Sequence, residues 1–361
     1  CLMVFKNKII YLKSLYIFFV FLSLIIFFFS TAKTNSKAFE VSDINISKPF
    51  EINFDKNEVL NEGFKKAFFA LISLIVNSQD QKKIDKIQLN EIKGMIETFS
   101  IKEESFIDEI YNVNLGVSFN KKKVSKYLER KNIFPSIPIK NKFLFIPVII
   151  DESKNDLLVF NQNKIYFKWN DNTNSHHLIE YILPTEDLED LNLIKKNYDR
   201  IEQYDFKEII NKYDLSDSIV VLIFKNENDI RVLSRITIKE NTILKNESFQ
   251  KIDFDKQDEL NYMINSLKNT YEDYWKNTNQ INTSIKLPLI IKIDSKNNSK
   301  ISDLEQILNK IDLIYDFSIS KFDKEFVYYQ IIFNGTPSIF LKTMKNFNFN
   351  FDTQNKIWQV K

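Results

Sequence analysis

The chain has 361 residues, of which 44% are hydrophobic and 27% charged. That is enough for two or three domains with genuine cores, and it excludes global disorder and a collagen-like architecture. Its single cysteine, Cys1, excludes an intrachain disulfide and a cysteine-rich zinc or iron–sulfur site, while a formal charge of +2 is too small for nucleic-acid binding through bulk charge.

Lys6, Lys8 and Lys13 precede an uncharged run of 19 residues from Ser14 to Ala32, in which Leu15, Phe18, Phe21, Leu24, Ile26 and Phe28 suit membrane insertion. At about 1.5 Å per residue this run spans about 28 Å as a helix, close to the hydrocarbon thickness of a bilayer. Residues 1–38 are therefore read as a membrane anchor or a signal peptide. The length of the run favours the anchor. The small residues of Ser30-Thr31-Ala32 and Ser36-Lys37-Ala38 favour cleavage, which after Ala38 leaves Phe39 at the mature start. Both options send the remainder through a membrane. The expected location is the bacterial inner membrane facing the periplasm, or the soluble periplasm after cleavage.

An N-terminal α+β unit is expected over residues 39–137. Phe39 to Ile46 reads as a strand, and Asn57 to Val76 as a helix whose stripe includes Val59, Phe64, Phe68, Leu71 and Ile75. Gly63 costs this helix about 1 kcal/mol relative to Ala but permits a close approach. A short helix over Leu89 to Thr98, an extended stretch over Tyr111 to Phe119 and a helix over Lys121 to Arg130 complete the unit.

A central α+β unit is expected over 138–254. Phe143 to Ile150 is a concentrated strand signal, although Pro147 argues against one uninterrupted central strand. Leu157 to Phe160 gives a second strand, and Asn170 to Ser175 a loop. Leu178 to Leu183 is a strand that delivers Pro184-Thr185-Glu186-Asp187-Leu188-Glu189-Asp190 to a helix start, with Thr185 as the cap. A short helix over Phe206 to Lys212 precedes Ser218 to Phe224, with Asp229 to Ile238 as its antiparallel partner.

A C-terminal α+β unit is expected over 255–361, although its first helix, Glu259 to Trp275, is also suited to packing on the central unit. Strands follow at Ile285 to Ile293, Ile311 to Ile319 and Phe326 to Phe333, with a helix over Ile301 to Leu308. Pro337 opens a helix that runs to about Asn346, and Lys356 to Val360 is a terminal strand. The fold class is α+β: an N-terminal hydrophobic helix, then two or three mixed helix and antiparallel-sheet units.

Ile182-Leu183-Pro184-Thr185-Glu186-Asp187-Leu188-Glu189-Asp190 resembles a turn of the bacterial envelope family known as the domain of unknown function 2066, with Thr185-Glu186 in place of an apolar pair. The start Phe39-Glu40-Val41, the helix with Ala67, Ala70 and Leu71, Val113 to Phe119 and Phe143 to Ile150 fall in the same order as in that family. The similarity covers residues 39 to about 240. It implies an envelope-associated protein and supplies no reaction or ligand.

Catalytic signals are sparse. His176 and His177, the only histidines, point to opposite sides of an extended chain and make an awkward ligand pair, so a metal site through them and the Glu186 to Asp190 acids is the weaker alternative. Glu186 and Asp190 lie four residues apart on one helical face, where like charges repel. Four glycines, Gly63, Gly94, Gly116 and Gly335, are too scattered for a phosphate-binding loop. No cofactor is expected. The basic run Lys121-Lys122-Lys123 with Lys126, Arg130 and Lys131 reads as a solvated helix face.

Tyr271, Tyr274 and Trp275 end the strong helix and Tyr328 and Tyr329 share a strand; they suit either a core or an interaction surface. The expected role is a non-enzymatic interaction or assembly function in the envelope, with the membrane and an envelope protein as partners. The alternatives are a metal-assisted hydrolase using the two histidines and a small-ligand binding module.

Overall fold

In the first sheet, Val41, Ile44 and Ile46 of β1 (Glu40–Pro49) turn inward, and the strand pairs antiparallel with β3 (Ile110–Phe119). The computed structural model describes residues 39–171, 176–226, 229–250, 252–282 and 285–361. The hydrophobic run Ser14 to Ala32, both cleavage sites and most of the expected loop Asn170 to Ser175 lie outside the described residues. Among the described residues no helix is long and apolar enough to cross a membrane.

Asp55 accepts a hydrogen bond from the Asn57 amide and starts α1 (Lys56–Ile75), whose apolar stripe buries Phe68, Leu71, Ile72 and Ile75. Those residues share a core with Leu115, Val117 and Phe119 of β3. A β-carbon at Gly63 would overlap Leu115 Cδ1, so the helix approaches the sheet where glycine permits it. After the short helices α2 (Ser78–Gln81) and α3 (Leu89–Met95), the chain turns at once into β2 (Ile96–Ile107). The helix expected over Leu89 to Thr98 thus ends three residues early, and a twelve-residue strand follows it. The sheet order is β1-β3-β2, and α4 (Lys121–Arg130) closes the unit.

The central sheet is built on β4 (Asn141–Asp151), which pairs in parallel with β6 (Ile179–Ile182) and β7 (Ser218–Lys225). From β7 the chain continues as an antiparallel meander through β8 (Asp229–Ile238) and β9 (Asn241–Gln250). Pro147 does not interrupt β4. On one side Pro147 is opposite Val221 of β7. On the other, β6 covers Asn141 to Leu144 and β5 (Asp156–Leu158) covers Ile149 to Asp151, so Pro147 sits in the gap between them. A residue without an N–H costs no ladder bond there.

Alternation along β4 and β7 sends residues into two cores. Phe143, Phe145, Ile219 and Val221 face α5 (Lys164–Lys168), Trp169 and α8 (Gln257–Thr278). Leu144, Ile146, Val220 and Leu222 face Ile194 of α6 (Leu188–Lys196) and Ile209 of α7 (Lys207–Ile210). The long helix α8 therefore packs on the central sheet through Leu260, Met263, Ile264, Leu267, Tyr271 and Trp275.

The third sheet has the order β11-β12-β10-β14-β13, formed by β10 (Leu287–Asp294), β11 (Ile314–Phe322), β12 (Phe326–Phe333), β13 (Phe351–Asp352) and β14 (Ile357–Val360). Leu304 and Leu308 of α9 (Asn298–Lys310) and Phe340 and Met344 of α10 (Pro337–Lys345) fill its core. Here β12 separates the parallel pair β10 and β11, as β3 separates β1 and β2 in the first sheet. Both units follow the order strand, helix, strand, strand, helix, a repeat of topology without a repeat of sequence. Among the described residues the fold is mixed α+β with three sheets: the first is antiparallel, and the central and third sheets are mixed, with parallel pairs at β4–β6 and β4–β7 and at β10–β14.

Candidate functional site

The motif around Pro184 is a fixed junction. Tyr166 donates its hydroxyl proton to the Pro184 carbonyl at 2.6 Å, and the Thr185 amide donates to the Tyr213 hydroxyl at 2.9 Å. Asp187, and not Thr185, caps α6 by accepting from the Glu189 amide. Lys212 bridges Asp187 at 2.7 Å and the buried Asp190 at 2.6 Å. These two hydrogen bonds hold the Lys212 ammonium well above the ordinary lysine range. Glu186 bonds Asn161, and Leu188 and Glu189 point into solvent. The acids of the motif thus serve the helix start and its ion pair; Glu186 and Asp190 do not converge on a shared pocket.

A polar seam runs along the buried face of α8. Lys268, Glu272 and Lys276 recur every fourth residue, and each is at most 4% exposed. Glu272 accepts from the amides of Leu178 and Ile179, at 2.8 Å for the shorter Ile179 bond, and so fixes the entry to β6. Burial raises its pKa, opposed by those amides. His177 Nδ1 lies 3.8 Å from Glu272 Oε1. Burial, helped by the charges of Lys268 and Lys276, pushes His177 down to about 4, so at neutral pH the two do not form an ion pair. Lys268 makes no hydrogen bond or ion pair among the described residues; its Nζ lies 5.5 Å from the Trp169 ring and 5.8 Å from the Tyr181 ring. Trp169 Nε1 and the Tyr181 hydroxyl are buried without hydrogen-bond partners among the described residues. The periodicity of α8 revealed its apolar stripe, but its three buried charges lie outside that pattern.

Among the described residues no group of three or more His, Cys, Asp or Glu side chains is arranged to hold a metal. A small apolar cavity lined by Ile146, Pro147, Phe160, Tyr166, Ile194 and Ile209 has a volume of about 10 Å³, the room of one water molecule. It is a packing gap, too small for an organic ligand.

The aromatic surface expected from Tyr271, Tyr274, Trp275, Tyr328 and Tyr329 does not form. Tyr271, Trp275 and Tyr329 are core residues, and Tyr274 on α8 and Tyr328 on β12 are half-buried in different units. Tyr271 spends its hydroxyl on Ser234, Trp275 its indole N–H on the Ile139 carbonyl, and Tyr329 its hydroxyl on Glu305. Nor is the basic face of α4 simply solvated. Lys121 bonds the Ile311 carbonyl at 3.0 Å and pairs with Asp312, and Lys122 pairs with Asp316, which ties α4 to the third sheet.

The large exposed hydrophobic side chains gather elsewhere. Phe50, Phe106, Ile107 and Ile110 are 51%, 56%, 58% and 41% exposed, and Ile52 is fully exposed. Phe50 and Phe106 flank the tip of the β2–β3 hairpin on the face shared with Tyr111, and Ile107 and Ile110 stand on its other face. Phe50 and Phe106 are in edge contact at 4.8 Å, Ile107 is opposite Ile110, and the Phe50 amide donates to the Glu109 carbonyl. Glu51, Asp108 and Glu109 rim this tip. The strand β1 carries the chain from Glu40 to Pro49, and a ten-residue strand spans roughly 33 Å, so the tip lies at the end of β1 remote from residue 39. The position was not legible in sequence because an isolated Phe or Ile beside a turn looks like any other core residue.

No family model matches the chain, and no curated protein was found to be similar to it.

Proposed function

We propose that this chain is an exported, non-enzymatic envelope protein that docks another envelope protein through the apolar tip of its first sheet. The observation that carries this reading is the presence at one hairpin tip of two exposed apolar pairs, Phe50 with Phe106 on one face and Ile107 with Ile110 on the other, since clustered exposed apolar side chains mark interaction sites where scattered ones do not. The acidic rim of Glu51, Asp108 and Glu109 disfavours direct contact with an anionic lipid surface and suits a protein with basic residues around an apolar centre. The uncharged apolar run Ser14 to Ala32 supports export, as an anchor retained in the inner membrane or as a signal peptide that is removed. The resemblance over residues 39 to about 240 supports an envelope location as well.

Two measurements test the proposal. The intact N-terminal mass in membrane and soluble fractions separates anchor from leader; a protein found whole in the cytoplasm overturns export. A photo-crosslinking residue at Ile107 in cells that make the protein naturally should trap one envelope protein. The trapped species should vanish with Phe50→Ser and Phe106→Ser and be missing when the probe sits at Ile290. Equal trapping at both positions overturns docking at the tip.

A further inference from the structure

We infer that the free edge of β2 receives an extended, lysine- or arginine-bearing apolar segment of the partner as an added strand. This rests on the interaction reading above and names the chemistry of what is bound. In the order β1-β3-β2, β3 occupies one side of β2 and leaves the other with its N–H and C=O groups toward solvent. The edge is long. From Glu97 to Ile107 every residue is exposed, and at its far end the strand runs into the apolar tip. A peptide that adds to such an edge gains main-chain hydrogen bonds along the strand and places alternate side chains beside Phe99 and Ile101, both exposed on β2.

Charge selects the occupant. β2 and its turn, residues 96–109, carry Glu97, Glu103, Glu104, Asp108 and Glu109 against the single Lys102. Two of these are engaged within the unit: Glu104 with Lys56 at 2.6 Å, and Lys102 with Asp43 at 3.4 Å. Glu97, Glu103, Asp108 and Glu109 make no ion pair among the described residues, which leaves a one-signed row beside an open backbone edge. The edge strands β9 and β11 carry one acid and one lysine each, and so lack this bias. Edge charges commonly protect a protein from pairing with itself. Here the acids repel a second copy of β2 and attract a basic strand, so the same residues both exclude and choose.

The probe is a synthetic peptide alternating lysine with valine, added to the full-length protein while amide hydrogen exchange is followed by mass spectrometry. Exchange over residues 96–107 should slow, with β9 and β11 unchanged. A peptide alternating glutamate with valine should give no protection, and neither should the lysine peptide methylated at alternate backbone nitrogens. Combined Glu97→Lys and Glu103→Lys substitutions, both in solvent, should weaken binding about fivefold, the scale of exposed ion pairs. Unchanged exchange, equal protection by the glutamate peptide, or protection that grows with protein concentration alone overturns the inference, the last by showing a second copy on the edge. Trapping at Ile107 with β2 still in free exchange defeats the added strand and leaves the tip; protection without trapping defeats the tip and leaves the edge.

Discussion

Lys276 of α8 donates a hydrogen bond to the carbonyl of Val76, at the end of α1, at 3.1 Å. Its ammonium is 3.7 Å from Asp273, which in turn receives hydrogen bonds from the amide and hydroxyl of Ser78. Asn77 donates to Asn277 across the same junction. Around it, Ser136 bridges to Gln280 and the Ile137 amide reaches the Asn279 carbonyl. The first and central units are therefore joined by a buried polar lock, in which Lys276 and Gln81 both donate to a carbonyl that α1 has left open.

The lock sets up a contrast between two lysines of one helix face. Lys276→Met removes one of the two donors to the Val76 carbonyl, which keeps its bond from Gln81 Nε2, and takes the ammonium from Asp273, so it should cost about 1–2 kcal/mol. Lys268→Met removes a buried charge with no oxygen partner among the described residues and keeps the apolar stem against Trp169 and Tyr181. It should be neutral or stabilise by about 1 kcal/mol. Urea unfolding of both variants measures the difference; equal losses would show that Lys268 holds the fold as Lys276 does.

The sequence carried the long elements because burial imprints a period on them. α1, α4, α8 and β12 are legible in this way, each with one face in a core, while β7, buried on both faces, is legible as an unbroken apolar run. β2 left no such imprint. With Glu97 to Ile107 exposed, packing did not constrain its pattern, and the residues between Thr98 and Tyr111 are assigned to no element from the sequence. The same reasoning explains the site. Tyr271 and Trp275 suit either a core or a surface in sequence, and only the fold shows them closed inside; Phe50 and Phe106 belong to no predicted element, and only the fold shows them exposed at the tip. Pairing across strands distant in sequence, as between β4 and β7, has no local signature at all.

Gly63 offers a test of close packing. On an isolated helix Gly63→Ala would gain about 1 kcal/mol of propensity. In the protein the new methyl meets Leu115, which is fully buried between α1 and the sheet and has no room to retreat. A net loss of about 1–2 kcal/mol is expected in chemical denaturation, and the same substitution should cost less when made in a Leu115→Ala background.

Lys121 gives a pH dependence. Burial lowers it to about 8, opposed by Asp312, whose own carboxyl is raised by burial. The unfolded lysine keeps its proton to about 10.5, so between pH 8 and 10.5 the unfolded chain binds more protons at this site. The Lys121 contribution to stability therefore rises with pH across that window. The difference in unfolding free energy between the protein and Lys121→Met should grow in favour of the protein from pH 8 to 10.5; a flat difference would place Lys121 in solvent.

His177 works on the acid side with the same sign, its contribution to stability also rising with pH. Its folded pKa of about 4 lies below the ordinary 6.5, because burial and the nearby charges of Lys268 and Lys276 disfavour a further cation. Between pH 6.5 and 4 the unfolded state takes up the proton more readily, so the stability contributed by neutral His177 is complete above pH 6.5 and is lost as the pH falls toward 4. Glu272 does not reverse this, since its carboxylate is committed to the Leu178 and Ile179 amides and is itself raised by burial. The His177 ring protons should not titrate in NMR spectra between pH 7 and 5, while those of a histidine free in solution move through their midpoint. His177→Gln, which cannot ionise, should flatten the fall in stability between pH 6.5 and 4. A ring midpoint near 6.5 would mean that the seam of α8 is open to water at its β6 end.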